Sequence, residues 1–385
     1  MSWQHVKVGD LITQVRGVTY SSGDAIDELK DGYVELLRAN NIAEGHLTFN
    51  DVTYVPKSKV NEKQYLRQND IVIAASSGSI SVVGKAASFN VNRTATFGAF
   101  CKVLRPNANV DARYIANYFQ TSTYRRTVSS LAEGANINNL RNEHIDNLDI
   151  LLPPLAEQKR IAAILDKAAE IKAKREQAIA KLDELVASAF QESCSQSKKQ
   201  TVQKIKNLVT KRKPVDRGSE TVWSLVLDQI ESNSGKVLSQ VNVSREKLGT
   251  STYYFQPEVV LYSKLRPYLN KVVIPDSCGY ATTELVPLYC DKEKILPVFM
   301  ASYLRSNKFV NFANSNSAGA KMPRVMMDKF WDYEMTLPDL GVQRNFQQLC
   351  EKCIVMKQSL NDAIEKHDKL IASLQHHAFT TVFAA

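Results

Sequence analysis

The sequence predicts an α/β protein: two globular mixed α/β domains joined by two long antiparallel coiled-coil helices, related by a pseudo-two-fold internal repeat. Three observations predict this. "PPLAEQKRI" at Pro153–Ile161 and "PDLGVQRNF" at Pro338–Phe346 open two helical patterns 185 positions apart, with Leu and Gln at the same spacing. The offset then holds without a gap: Glu157–Ser188 and Val342–Ser373 share ten identities in 32 positions, among them Gln158/Gln343, Lys167/Lys352, Ala178/Ala363, Asp183/Asp368 and Leu185/Leu370. Average residue usage would give about two by chance. Third, both helices carry apolar residues alternately three and four apart, the a/d heptad pattern of a coiled coil.

The elements follow in order. Residues 1–152 form the first domain, 153–196 its helix, 197–337 the second domain and 338–385 the second helix. "DVTYVP", "DIVIAAS", "EVVLYSK" and "KVVIP" are short β-branched and aromatic runs that read as strands. "DARYIANYFQTSTYRRTVSS" and "PVFMASYLRSNKFVNFANS" read as helices, and "YFQT" at Tyr118–Thr121 echoes "YLRS" at Tyr303–Ser306. The expected seam of the first long helix is Ile161, Ile164, Ala168, Ile171, Arg175, Ala178, Leu182, Leu185 and Ala189. That of the second is Phe346, Leu349, Cys353, Met356, Leu360, Ala363, His367, Leu370 and Leu374. Pro153 and Pro154 suit the turn before the first helix, and Asp339 suits the N-cap of the second. Each helix is expected to run ~35 residues and ~50 Å. Both seams are narrow with charged flanks, as when two helices pack on each other. The first helix leads from one domain to the next and the second follows the second domain, so symmetric pairing makes them antiparallel.

A net charge of +9 points toward a polyanion, and residues 197–337 hold +8 of it, with 21 Lys and Arg against 13 Asp and Glu. A solvated basic surface would give the same count. No apolar h-region opens the chain and no run approaches a membrane span, so a cytoplasmic protein with no membrane partner is expected. The six scattered cysteines read as reduced thiols.

Motifs for catalysis are missing. "GSISVVGKA" at Gly78–Ala86 has five residues between its glycines where a phosphate loop needs four, and Ala86 stands where Ser or Thr would bind Mg²⁺. "LPP" at Leu152–Pro154 is not the Asn/Asp-Pro-Pro-Tyr loop of adenine methyltransferases, and Pro275-Asp276 with Glu284 lacks a nuclease lysine. Cys350 and Cys353 form a lone CxxC that aligns with Leu165 and Ala168, which suits apolar packing better than a metal. No metal site and no active site are expected.

This architecture resembles the specificity subunit of type I restriction-modification systems. The resemblance covers essentially the whole chain and rests most on "LLPPLAEQKRIAAILDKAAEIKAKREQAIAKLDELVASAF" at Leu151–Phe190, then on "YSKLRPYLNKV" at Tyr262–Val272 and "YVELLRANNIAEGHL" at Tyr33–Leu47. The second helix departs from the family pattern, with Gly341-Val342 where an acidic pair is usual before Gln343. The resemblance implies two target-recognition domains, each reading half of a bipartite, asymmetric sequence in double-stranded DNA, with the helices as spacer. It implies two modification (adenine methyltransferase) subunits and restriction (motor-nuclease) subunits as partners. AdoMet, ATP and Mg would belong to those partners, leaving no cofactor here.

Candidate DNA contacts sit on polar and basic loops. Lys264, Arg266, Tyr268, Asn270 and Lys271 combine charge with an aromatic ring and an amide, suited to phosphates and to guanine or adenine edges. Lys321 and Arg324 follow Gly319, while Asn136, Asn138 and Arg141 follow Gly134 at the repeat-equivalent place. Arg38, Asn40, Ser77, Ser79 and Arg93 are further candidates, though any of these residues could instead be a turn former or a solvated charge. The alternative function is a coiled-coil scaffold that holds proteins and touches DNA incidentally, favoured by the near-neutral first domain.

Overall fold

The computed structural model describes residues 3–43, 45–133, 139–195, 200–211, 214–216 and 218–380. It divides into two compact units, Met1–Glu176 with Asn361–Ala385, and Gln177–Leu360. Each unit therefore takes half of each long helix.

In the first unit the opening strand Gln4–Lys7 pairs antiparallel with the closing strand Asp149–Leu152, Gln4 opposite Leu152. A four-stranded antiparallel sheet runs in the order Ile12–Arg16, Cys101–Pro106, Asp70–Ala74, Ala86–Phe89. "DIVIA" is buried at every position, as its unbroken apolar run requires of a central strand. Its one charge, Asp70, is gripped by the Arg105 fork at 2.8 and 2.7 Å, which offsets the desolvation of a buried carboxylate. A three-stranded sheet joins Thr53–Pro56, Tyr33–Leu37 and Ala95–Phe97, the last pair parallel.

The second unit repeats this plan. Gln200–Lys204 pairs with Glu334–Pro338, Thr221–Leu225 runs parallel to Gly279–Thr282, and Val260–Ser263 lies between Val272–Val273 and Leu285–Leu288.

The echoed "YFQT" and "YLRS" each break a helical stretch in two. Helices Ala112–Tyr118 and Ser122–Glu133 meet at Thr121, whose hydroxyl donates to the Tyr118 carbonyl (2.8 Å) and accepts from Tyr124 N–H (3.1 Å). Helices Pro297–Arg305 and Asn307–Ser315 meet at Ser306, which donates to the Tyr303 carbonyl (2.6 Å) and accepts from Phe309 N–H (3.4 Å). A capping hydroxyl at the same repeat position turns the chain the same way.

Two helices of 41 residues each, Leu155–Ser195 and Leu340–Thr380, carry the internal repeat and exceed the expected length. Asp339 caps the second, accepting from the N–H groups of Gly341 (2.9 Å) and Val342 (3.2 Å). The first unit's core gathers Tyr114, Ile115, Phe119 and Tyr124 around Ile161, Ala162 and Leu165 from the start of the first long helix, with Ala378 and Phe379 from the end of the second. In the second unit, Phe299, Met300, Tyr303, Leu304 and Phe309 surround Phe346 and Cys350 from the start of the second, with Phe190 from the end of the first. Start meets end in both units, so the helices are antiparallel. Among the described residues no helix is long and apolar enough to cross a membrane.

The seam differs in phase from the heptad reading. Ile161, Ala168, Phe346 and Cys353 are buried, and Ile171, Leu182, Leu349 and Leu360 are partly so. Ile164, Leu185, Met356 and Leu370 are exposed. The covered stripe steps four and then three, through Ile161, Leu165, Ala168, Arg175, Leu182, Val186 and Ala189, and likewise through Phe346, Cys350, Cys353 and Leu360. Docking onto a domain core sets this phase, because Leu165 and its equivalent Cys350 enter the two cores. Burial among apolar groups pushes the Cys350 thiol up to about 11, which leaves it an inert packing residue.

One seam layer is polar. Arg175 Nη1 donates to the Ala363 carbonyl (3.1 Å) and to His367 Nδ1 (2.9 Å). A guanidinium can only donate, so His367 Nδ1 accepts and Nε2 carries the proton. That Nε2 is buried with no hydrogen-bond partner among the described residues. The repeat-equivalent positions are Leu360 and Leu182.

Candidate nucleic-acid interface

One corner of the second unit concentrates basic side chains. The strand Val260–Ser263 ends at Lys264, whose N–H donates to the Glu284 carbonyl (3.0 Å) and whose carbonyl accepts from Val325 N–H (2.9 Å). Leu265 bridges to Arg324, and Arg266 N–H donates to the Pro323 carbonyl (2.7 Å). Lys264, Arg266 and Arg324 therefore meet, with exposed Lys321 on the same short segment as Arg324. Arg324 is tied to the Glu284 carboxylate (2.9 Å), which favours its charged form. Arg266 is held left-handed at φ 49°, a strained conformation that its bond to Pro323 sustains. Its side chain and the Tyr268 ring are exposed.

Two neighbours face inward instead. Asn270 is buried, left-handed at φ 51°, and its amide donates to the Arg305 carbonyl (3.0 Å) and to Asn233 (3.3 Å). Lys271 Nζ donates to the Leu227 carbonyl (2.8 Å). Both hold the loop that presents Arg266 and Tyr268, and neither is placed to reach a ligand.

The matching corner of the first unit is built differently. Ser76 bridges to Asn139, the position equivalent to Arg324, and Arg141 begins the adjacent helix Asn142–Asp146 with its side chain against Glu143 (3.2 Å). Ser77 Oγ accepts from Ser79 N–H (3.2 Å), and the Ser79 and Ser81 hydroxyls pair at 2.9 Å. Arg125 braces this loop from beneath through the carbonyls of Val83 (2.8 Å) and Ser81 (3.1 Å). Gly84 closes it at φ 78°, where an added Cβ would meet Val128 at 2.5 Å. Asn136 and Asn138 lie outside the described residues. Arg38 and Asn40 share Asp51 (3.7 and 2.9 Å) on another loop, and Arg93 pairs with Glu35 (3.4 Å) while lying over the Phe49 ring. Among the described residues no bond gathers these three at the serine loop.

Sequence reasoning missed Phe100. It sits in the turn between Ala95–Phe97 and Cys101–Pro106, and its carbonyl accepts from the N–H groups of Ala75 (2.9 Å) and Ser76 (3.0 Å). The ring is 70% exposed beside the serine loop. An aromatic next to a glycine turn was the available signal.

Residues 1–182 match the family model of the type I restriction modification DNA specificity domain. Similar proteins include the type I restriction enzyme EcoKI specificity subunit of Escherichia coli (strain K12), 48% identical over 164 residues, and the StySPI specificity subunit of Salmonella potsdam, 46% identical over 164 residues. Each match takes 43% of this chain and 35% of the relative, so the chain covers about a third of the length of these relatives. The likeness of fold extends further than the specificity-domain match. The type I restriction-modification S subunit from M. genitalium aligns over 98% of this chain and 96% of its own, with a TM-score of 0.59 at 12% identity. A chain from a structure of type I R-M complex assembly and conformational transition aligns over 98% and 97%, with a TM-score of 0.57 at 13% identity.

Proposed function

We propose that this chain is the non-catalytic DNA-recognition subunit of a type I restriction-modification system, binding a bipartite asymmetric target and directing methylation and restriction by partner subunits. The observation that carries this reading is the repetition of the DNA specificity domain's plan in the second half of the chain, with different chemistry at the two equivalent corners. One corner offers Lys264, Arg266 and Arg324, the other serine hydroxyls. Two different readers on one repeated scaffold suit two different half-sites. The strongly basic second domain would neutralise phosphates, and an Arg there would read guanine.

In this reading duplex DNA is the ligand, the paired helices set the spacing of the half-sites, and the chain works in the cytoplasm. Two modification subunits and the restriction subunits are the partners, and AdoMet, ATP and Mg²⁺ belong to them. The exposed Leu185 and Leu370, identical residues at equivalent repeat positions, suit two copies of one partner. A genome-wide N6-methyladenine map with and without this gene tests the reading. Loss of one split motif, two short blocks around a fixed gap, is expected. An unchanged map in cells expressing the modification subunit would overturn it.

A further inference from the structure

We infer that Phe100 contacts bases of the half-site read by the first domain, by apolar contact with the 5-methyl group of thymine. This rests on the DNA-recognition reading and adds the chemistry of one corner to it.

The two corners share a backbone pattern. Phe100 receives the N–H of Ala75, as Glu284 receives that of Lys264; Ser76 bridges Asn139, as Leu265 bridges Arg324. In the second domain the turn residue is an acid that orients a guanidinium. In the first it is a phenyl ring, and the guanidinium's place holds Asn139. The Phe100 ring is 70% exposed, while Phe97 and Cys101 on either side supply the core, so the ring is free to meet a ligand. The turn is rigid: its carbonyl takes two N–H groups, and Arg125 and Gly84 brace the neighbouring serine loop. Hydroxyls at Ser77, Ser79 and Ser81 beside an apolar ring make a surface that can meet base edges by hydrogen bonds and methyl contact without a cation. The methyl contact favours A·T pairs.

The test uses the full chain with its modification subunit on duplexes carrying the split motif found by methylation mapping. Thymines in each half-site are replaced one at a time by deoxyuridine, which removes only the 5-methyl group. At least one such replacement in one half-site should weaken wild-type binding several-fold and have no effect on Phe100→Ala. Phe100→Ala should itself weaken binding about tenfold, with the loss confined to that half-site, and Phe100→Leu should restore part of it. Unfolding midpoints of both variants should match wild type, because the fold uses the Phe100 carbonyl and not its ring. Wild-type affinity in Phe100→Ala, or methyl sensitivity unchanged by it, would overturn the inference while leaving DNA recognition intact. A half-site pair without any A·T base pair would also overturn it. Absence of sequence-specific binding by the wild-type complex would instead sink the recognition reading beneath it.

Discussion

Gln158 and Gln343, 185 positions apart, are plugged into their domains by the same hydrogen bonds. Gln158 Oε1 accepts from Asp111 N–H (2.9 Å) and its Nε2 donates to the Pro153 carbonyl (2.8 Å). Gln343 Oε1 accepts from Leu296 N–H (3.0 Å) and its Nε2 donates to the carbonyls of Pro338 (2.9 Å) and Lys294 (3.2 Å). Asp111 and Leu296 precede equivalent helices, so each amide ties the start of a long helix to the domain it leaves. Both are almost wholly buried, which is why the Gln recurs in two otherwise diverged segments. Leu cannot do this, and Glu would bury a charge.

Gln158→Ala and Gln343→Ala should each therefore cost about 1–3 kcal/mol, the price of orphaning a buried N–H and carbonyl. Urea denaturation of the full chain checks this. Two equal losses within about 1 kcal/mol are expected from the matching geometry.

The polar seam layer gives a second expectation. Arg175→Leu strands His367 Nδ1, and His367→Leu leaves the guanidinium only the Ala363 carbonyl, so each single change should destabilise by about 1–3 kcal/mol. The double change installs the leucines that the repeat already uses at 360 and 182, and should cost less than the sum of the singles or stabilise. A double-mutant cycle by thermal unfolding measures the coupling.

Asp216 predicts an acid limb. Hydrogen bonds from Arg245, Tyr280 and Gly218 N–H hold its carboxyl at about 2, against an ordinary value of 3.8. An unfolded chain thus binds this proton first, and the contribution present above pH 4 is lost as pH falls from 3.8 to about 2. The site is close to solvent, so the loss should stay under about 1 kcal/mol. Burial, then the hydrogen bond to Asp216, pushes Tyr280 up to about 12, so its contribution is lost as pH rises from 10 to about 12. Asp216→Asn should flatten the acid limb in denaturation measured against pH.

Under the DNA-recognition proposal the basic corner separates readers from supports. Lys264→Ala should weaken DNA binding and reduce its salt dependence, and Arg266→Ala should cost about 1–3 kcal/mol at one half-site. Asn270→Ala should lower stability instead, by stranding the Arg305 carbonyl and Asn233. Filter binding across a salt series, with unfolding midpoints for each variant, distinguishes them.

The duplication, the two long helices and the central strand "DIVIA" were legible because each is written in local periodicity. The seam's phase was not. Ile164-Leu165, Leu185-Val186 and Leu370-Ile371 are adjacent apolar pairs, and spacing alone cannot say which member faces inward. The domain cores decide it, through contacts remote in sequence. The same holds at the loop Lys264–Lys271, where composition marks Lys264, Arg266, Tyr268, Asn270 and Lys271 alike as polar candidates. Arg266 turns outward and Asn270 inward because of Pro323 and Arg305, far along the chain. Phe100 escaped notice because an aromatic beside strands "ATF" and "CKVLRP" reads as core.

Each domain is also sealed where it begins. Gln4–Lys7 lies against Asp149–Leu152, and Gln200–Lys204 against Glu334–Pro338. Chain entry and chain exit therefore share one two-stranded gate, just ahead of a Gln that locks onto backbone groups. Loops between the gates that touch neither the long helices nor the Gln side chains can change without disturbing the two strands. The fold behaves as a frame that closes on itself at the start of each long helix.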